Sequence, residues 1–278
     1  MPLALSNLAW PREHDALVAA LLARHCVPGV ELAPTKVWSQ PLTVSDREVA
    51  EYRRFWDSHG IQIVAMQALL FGRPDLQVFG DASIQAATLA HVGGMCRMAQ
   101  RLGARVLVFG SPKNRLRGDL DANTALRTAT DFFRRLGDIA EQHNVLIGIE
   151  SNPTVYGCDF LTTGIEAARF VEHVGHPAIA LHLDTACLAL SGESPGPLLR
   201  SYGRFVRHIH ISEPRLQPIH ASTLDHSMFS REIVGSGYGR WLSIEMQAPN
   251  GEFDERTLDE SLAFVRKHYL SDRAALAA

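Results

Sequence analysis

Ile179-Ala180-Leu181-His182-Leu183-Asp184, inside the longer run HPAIALHLDTACLALSG (176–192), alternates with period two. Ile179, Leu181 and Leu183 fall on one face of an extended chain, and Ala180, His182 and Asp184 on the other. The polar face ends in a carboxylate where the strand pattern stops. The pattern recurs in three more places. In VLIGIE (145–150), Val145, Ile147 and Ile149 oppose Leu146, Gly148 and Glu150. In VRHIHIS (206–212), Ile209 and Ile211 oppose His208 and His210. In WLSIEM (241–246), Leu242 and Ile244 oppose Ser243 and Glu245. Each strand brings one potential metal ligand to its C-terminal part: Glu150, Asp184, His210 and Glu245. Their separations of 34, 26 and 35 residues are each close to one strand–helix unit.

The rest of the chain continues this alternation. Further strands are expected at Leu3–Ala9, Gly29–Ala33, Ile61–Gln67 and Arg105–Gly110. Helices are expected at Glu13–Cys26, from Ser45 to about His59, at Ser83–Leu102, Asn123–His143, Thr163–Val174 and Leu258–Tyr269, with a short one near Pro197–Tyr202. Ser45 with Glu48 three residues on reads as a capping box, and Gly60 and Gly103 stop the helices before them. The loop from Ala68 to Asp81 is long for a strand–helix connection. The polar stretch 213–238 is expected to hold a further helix. Eight strands alternating with helices, with no break in composition, indicate one α/β domain over 1–278, a single (β/α)8 TIM barrel. The Ala-rich tail from about 271 to 278 is expected to fray. An open doubly wound sheet is the alternative, but no GxGxxG follows the first strand.

Composition narrows the function. The chain has 278 residues, a net charge of −3 and 46% hydrophobic residues, as expected of one large-cored globular domain. Its pI of about 6.5 advertises no nucleic-acid partner. No apolar run reaches membrane length, and the N-terminus lacks the pattern of a signal peptide. Cys26, Cys96, Cys158 and Cys187 are far apart with no CxxC, which points to free thiols and a cytoplasmic location.

In a barrel, reactive groups collect at the C-terminal strand ends. Three carboxylates and an imidazole crowded there repel one another unless protons or a cation intervene. Their mixed oxygen and nitrogen donors suit one divalent cation, Mn2+, Mg2+, Co2+ or Zn2+, and geometry rather than sequence decides among these.

These residues resemble the metal tetrad of the xylose isomerase-like barrel superfamily, in the sugar (phosphate) isomerase/epimerase branch that includes ketose 3-epimerases and hydroxypyruvate isomerase. IESNPTVYG, LHLDT, HIHISEP, SIEM, VELAPTK and QALLFG all carry the likeness, which runs from Val30 to Met246. The resemblance implies a metal-dependent sugar or sugar-phosphate isomerase or epimerase working through an enediolate. Glu150 and Glu245 would act as ligands and as acid/base, Asp184 and His210 as ligands only. A small-molecule substrate and a homodimer or homotetramer are implied, with no nucleic acid or membrane partner. Two positions depart from the epimerases. Cys187 stands where they place a substrate-contacting histidine, three residues after the aspartate. Arg215, after Pro214, is the candidate for an arginine that follows their histidine ligand. Both departures count against the same free ketoses as substrates.

Further residues are candidates for substrate binding. His182 and His208 share the ligand face one pleat deeper, as buttresses or as core histidines. Gln67 could reach a substrate hydroxyl. Lys113 and Arg115 could hold a phosphate or carboxylate, or face solvent. His220 and His226 could cover the pocket or simply lie on the surface. Glu31 also ends a strand and could pair with a cation such as Lys36. Trp10, Trp38 and Phe71 could wall the pocket or simply pack. The rival functions are a phosphodiesterase of the AP endonuclease type and a non-catalytic sugar-binding barrel. The endonuclease barrels carry histidines where this chain has Gln67, Ser111 and Cys187, which argues for one metal rather than three.

Overall fold

The structure, a computed structural model, describes residues 1–270; the tail expected to fray lies outside them. Eight strands close into one parallel barrel in chain order: β1 (Leu3–Ser6), β2 (Gly29–Leu32), β3 (Gln62–Met66), β4 (Val106–Phe109), β5 (Leu146–Glu150), β6 (Ile179–Asp184), β7 (Val206–Ser212) and β8 (Leu242–Glu245). β8 returns to β1 with Leu3 beside Leu242 and Leu5 beside Ile244, so no sheet edge remains. The barrel is therefore closed rather than an open doubly wound sheet.

Period-two alternation decides which way each side chain faces. Leu5, Val30, Leu107, Ile149, Leu183, Ile211 and Ile244 belong to the large apolar layer between strands and helices. A second, small cluster of Ala4, Val64, Ala65 and Val106, with Trp241 against it, packs separately from that layer. Gly29 belongs to the same region, because a Cβ there would lie 2.6 Å from the Trp241 ring.

The helices begin where the chain offers caps. Ser45 and Glu48 form the expected capping box on Asp46–Ser58. Asp81 caps Ala82–Leu102, Asp121 caps Ala122–Gln142 and Thr163 caps Gly164–Val174. Asp254 caps Glu255–Tyr269, which starts three residues earlier than its apolar periodicity suggests. The polar stretch after β7 holds the expected helix, His226–Gly235. Two short α-helices have no counterpart in the sequence reading, Pro34–Val37 after β2 and Thr185–Leu190, which follows β6 directly. The latter is capped by Asp184, whose carboxylate accepts from the Cys187 amide at 2.7 Å. Among the described residues no helix is long and apolar enough to cross a membrane. None of the four cysteines is bridged.

Candidate metal centre

His210, fully buried on β7, is the hub of the barrel mouth. Its Nδ1 lies 3.3 Å from Glu245 Oε2, 3.7 Å from Glu150 Oε1 and 3.9 Å from Asp184 Oδ2. Strand register produces this convergence: Asp184 sits beside His210, and Glu245 sits beside Ser212. His210 Nδ1 has no hydrogen-bond partner among the described residues. Donors around a common ion at 2.0–2.2 Å stand roughly 3.0–3.5 Å apart. Asp184, His210 and Glu245 bring donor atoms within 4.8 Å of one another, so these three fit a cation, and Glu150 faces the same His210 nitrogen.

The other side of the imidazole explains its orientation. Nε2 donates to Glu31 Oε2 at 2.9 Å, and His208 Nε2 donates to the same oxygen at 3.2 Å. Glu31 is buried too, and its Oε1 has no partner. A carboxylate behind a histidine fixes which ring nitrogen is presented forward. A Glu31–Lys36 pair does not form. β2 turns Glu31 into the barrel among histidines, where an acceptor is needed.

Two of the candidate carboxylates are held by neighbours. Asn152 Nδ2 donates to Glu150 Oε2 at 3.1 Å. Asp184 Oδ2 accepts from Ser212 Oγ at 2.5 Å. Gly110, just past β4, leaves room for Glu150, since a Cβ there would sit 2.2 Å from Oε2. Beneath them His182 is buried with neither ring nitrogen hydrogen-bonded, its Nε2 3.5 Å from Glu150 Oε1.

The electrostatics are those of acids crowded with a histidine at one buried point. Burial, then the charges of Asp184 and Glu245, push the Glu150 carboxyl up to about 8. Burial raises Glu245 as well, against the pull of His210. Burial opposes charge on His210, but Glu31 and Glu245 outweigh it and hold its pKa well above the ordinary value. Burial and the neighbouring histidines push His182 the other way, well down. Without a cation the centre therefore retains protons that a bound cation displaces.

A cavity of about 320 Å3 opens above the centre, lined among others by Asn152, Tyr156, Cys187, Arg215 and Gln247. That volume suits a small molecule. The Tyr156 hydroxyl accepts from the Arg215 amide at 3.1 Å, tying the loop after β5 to the loop after β7. Arg215 and Leu216 both adopt left-handed backbone, at φ 59° and 56°. The turn after Pro214 is thus an unusual one.

Of the residues proposed to bind substrate, only Arg215 lines this cavity. Gln67 is buried and spends its amide on Ser6 Oγ, so it does not reach the mouth. Lys113 is exposed outside it. Arg115, expected to meet a ligand or solvent, is instead fully buried, with no hydrogen bond to its guanidinium among the described residues. His182 lies beneath the cavity. His220 bonds Ser261 and faces Glu260 on the last helix. His226 is buried between Glu213 and Tyr269, anchoring the loop rather than covering the pocket. Trp10 and Trp38 pack, Trp10 donating to Asp15 at 2.7 Å and Trp38 edge-on to Tyr52. Phe71 stays exposed. Asn152, Ser212 and Gln247 escape sequence reading. Each lies two residues from a candidate ligand, on the same face of a continued strand, and that spacing was the available signal.

A closed parallel barrel of eight strand–helix units, with a histidine and three carboxylates converging at its mouth, defines a (β/α)8 TIM barrel with a candidate metal centre. The model of the xylose isomerase-like TIM barrel family matches residues 19–268, and the chain belongs to that family. No curated protein matches it in sequence. Solved structures do. D-psicose 3-epimerase from Clostridium cellulolyticum H10, with D-tagatose, is 17% identical at a TM-score of 0.78, over 97% of this chain and 99% of that one. The 3-keto-D-glucoside 4-epimerase of E. coli is 13% identical at 0.77, over 96% and 99%. The IOLI protein, solved with a zinc atom, is 18% identical at 0.75, over 97% and 100%. At these identities the likeness is one of fold.

Proposed function

We propose that this barrel is a divalent-cation-dependent isomerase or epimerase of a small hydroxy-carbonyl sugar, with Glu150 and Glu245 as its acid/base pair. The observation that carries this reading is the buried, unpartnered Nδ1 of His210 facing Glu150, Asp184 and Glu245 at 3.3–3.9 Å. The epimerase neighbours share the fold and support it.

A bound cation would supply the positive charge that stabilises an oxyanion developing on the substrate carbonyl. Asp184 and His210 would hold it, together with one oxygen from each glutamate. The two glutamates come from β5 and β8 and approach from different sides of His210. Asn152 anchors the second oxygen of Glu150. No hydrogen bond holds the second oxygen of Glu245 among the described residues, so that carboxylate is free to turn toward a substrate carbon. One glutamate takes the proton next to the carbonyl, and the other returns a proton to the enediolate on another face or carbon. Their high proton affinities suit groups that must pass between acid and base near neutral pH. Tyr156 and the loop carrying Arg215 wall the cavity above the centre.

The phosphodiesterase reading has less support. All three groups of candidate ligands among the described residues share His210, which favours a single site around that histidine over three separate ones.

The test is exchange of the protons next to the carbonyl of ketoses and ketose phosphates in D2O, followed by NMR with Mn2+ present. Exchange that stops with EDTA and returns with added cation is the expected result. Cleavage of abasic-site DNA with no exchange on any sugar would overturn the assignment.

A further inference from the structure

The barrel mouth holds a second cavity of about 220 Å3, lined by Leu8, Thr35, Lys36, Phe71, Gln247 and others at the ends of β1–β3 and β8. Gln247 also lines the cavity above the metal centre, so it is the wall between the two. It is exposed, and its side chain holds no hydrogen bond among the described residues. It follows Glu245 by two residues, a span of at most about 7 Å. The two cavities are therefore neighbouring lobes of one cleft, separated by a movable amide.

The lobes differ in charge. The first is lined by Glu150, Asp184, Glu213 and Glu245 against a single Arg215. Even a bound divalent cation leaves that lobe with an excess of negative charge. The second has one charged lining residue, Lys36. Lys36 is exposed, its ammonium has no hydrogen-bond or ion-pair partner among the described residues, and Glu31 is committed to His208 and His210 instead. Beside it Phe71 is 71% exposed, an apolar surface at the rim of the lobe.

We propose that the substrate is a carbonyl sugar carrying an anionic group, phosphate or carboxylate, at its far end, and that Lys36 receives this group in the second lobe. This deepens the reading of the centre as an isomerase or epimerase, and rests on it. The first lobe repels an anion and the second attracts one, so the charge difference also sets which end of the substrate enters first. Phe71 and Thr35 would contact the intervening carbons.

The experiment has two parts. In the first, metal-free protein is titrated with inorganic phosphate and followed through its backbone amide NMR signals, as wild type and as Lys36→Gln. Saturable shifts around Thr35, Lys36 and Ala248, weakened about tenfold in the variant, are expected. Shifts centred on Arg215 or Arg115, or unaffected by Lys36→Gln, overturn the proposal. In the second, Mn2+-loaded protein is given a ketose, its terminal phosphate and its terminal carboxylate in D2O. An anionic form should show the lower KM for exchange, and Lys36→Gln should remove about tenfold of that advantage. The preferred anion identifies the source of the charge. Exchange with no preference for either anion overturns the Lys36 assignment and leaves the reaction standing. Lys36-dependent phosphate binding with no exchange on any sugar supports the anion site and overturns the reaction.

Discussion

The two halves of the barrel mouth are built differently. From β5 to β8 each strand contributes a titratable group to one point: Glu150, Asp184, His210 and Glu245. From β1 to β4 the corresponding positions hold Ser6, Glu31, Gln67 and Gly110, and none reaches that point. Ser6 and Gln67 satisfy each other. Glu31 sits deeper and acts through His210. Gly110 contributes room. One half concentrates charge, and the other orients it and leaves space beside it. An even ring of acids around the mouth would repel more and leave no opening for substrate.

The largest effects should follow from breaking the charged half. Glu150→Gln and Glu245→Gln should each lower cation-dependent proton exchange by about 10²–10⁴-fold, the usual value of a positioned acid or base. Gln67→Ala, in the other half, should stay within about tenfold, since its amide is spent on Ser6. Exchange rates in D2O for the three variants decide the matter. Equal losses would erase the distinction between the halves.

Next comes the link between the halves. Glu31→Gln should weaken cation affinity by about 10–100-fold, because an amide can turn its N–H toward His210 and spoil the presentation of Nδ1. His210→Ala should cost at least as much. Equilibrium dialysis against Mn2+ or Co2+ measures both. Unchanged affinity in Glu31→Gln would mean that packing alone positions His210.

Legibility from sequence divides along the same line. β5–β8 could be read because a buried parallel strand alternates strictly, and an acid or histidine at its end breaks an apolar pattern. His182 and Asp184 in IALHLD are the clearest case. The helix start at Ser45 was readable from local capping chemistry. Glu31 was placed on its strand, but its partner was not foreseeable. Lys36 is near in sequence, while His208 and His210 lie 177 and 179 residues away, brought across only by barrel closure. Arg115 failed similarly: a basic loop looks solvated, yet loop packing buries it. The helix Thr185–Leu190 is too short for periodicity to reveal.

The charged half should also carry its own pH signature. The folded Glu150 carboxyl lies near 8 against an ordinary value of 4.5, so the metal-free native state keeps a proton that the unfolded chain has lost. The stabilising contribution is full below about 4.5 and disappears as the pH rises through 8. His210, raised as well, acts in the same direction above 6.5. His182 and His226, both lowered, act only below 6.5. Between about pH 6.5 and 8 the metal-free protein should therefore lose up to about 2 kcal/mol per coupled proton, seen as a falling Tm. Saturating cation should flatten or reverse that slope, because it displaces the same protons. Parallel slopes with and without cation would remove the centre from the account.

The smallest effect tests the space rather than the charge. A methyl at Gly110 would stand 2.2 Å from Glu150 Oε2 and 3.4 Å from its Cδ. The clash falls on the end of a side chain, not on backbone, so the fold can yield by moving the carboxylate away from Asn152. Gly110→Ala should accordingly cost about 1 kcal/mol or less in metal-free stability, at the low end for an overpacked site. The same displacement pulls Glu150 off the common point, so cation affinity should fall about 3–10-fold. A stability loss of several kcal/mol would show that β4 cannot yield there. Undiminished affinity would show that Glu150 Oε2 has other room. The combination of a quiet fold and a weakened centre would establish that the open half of the mouth shapes the charged half through a glycine that touches no ion.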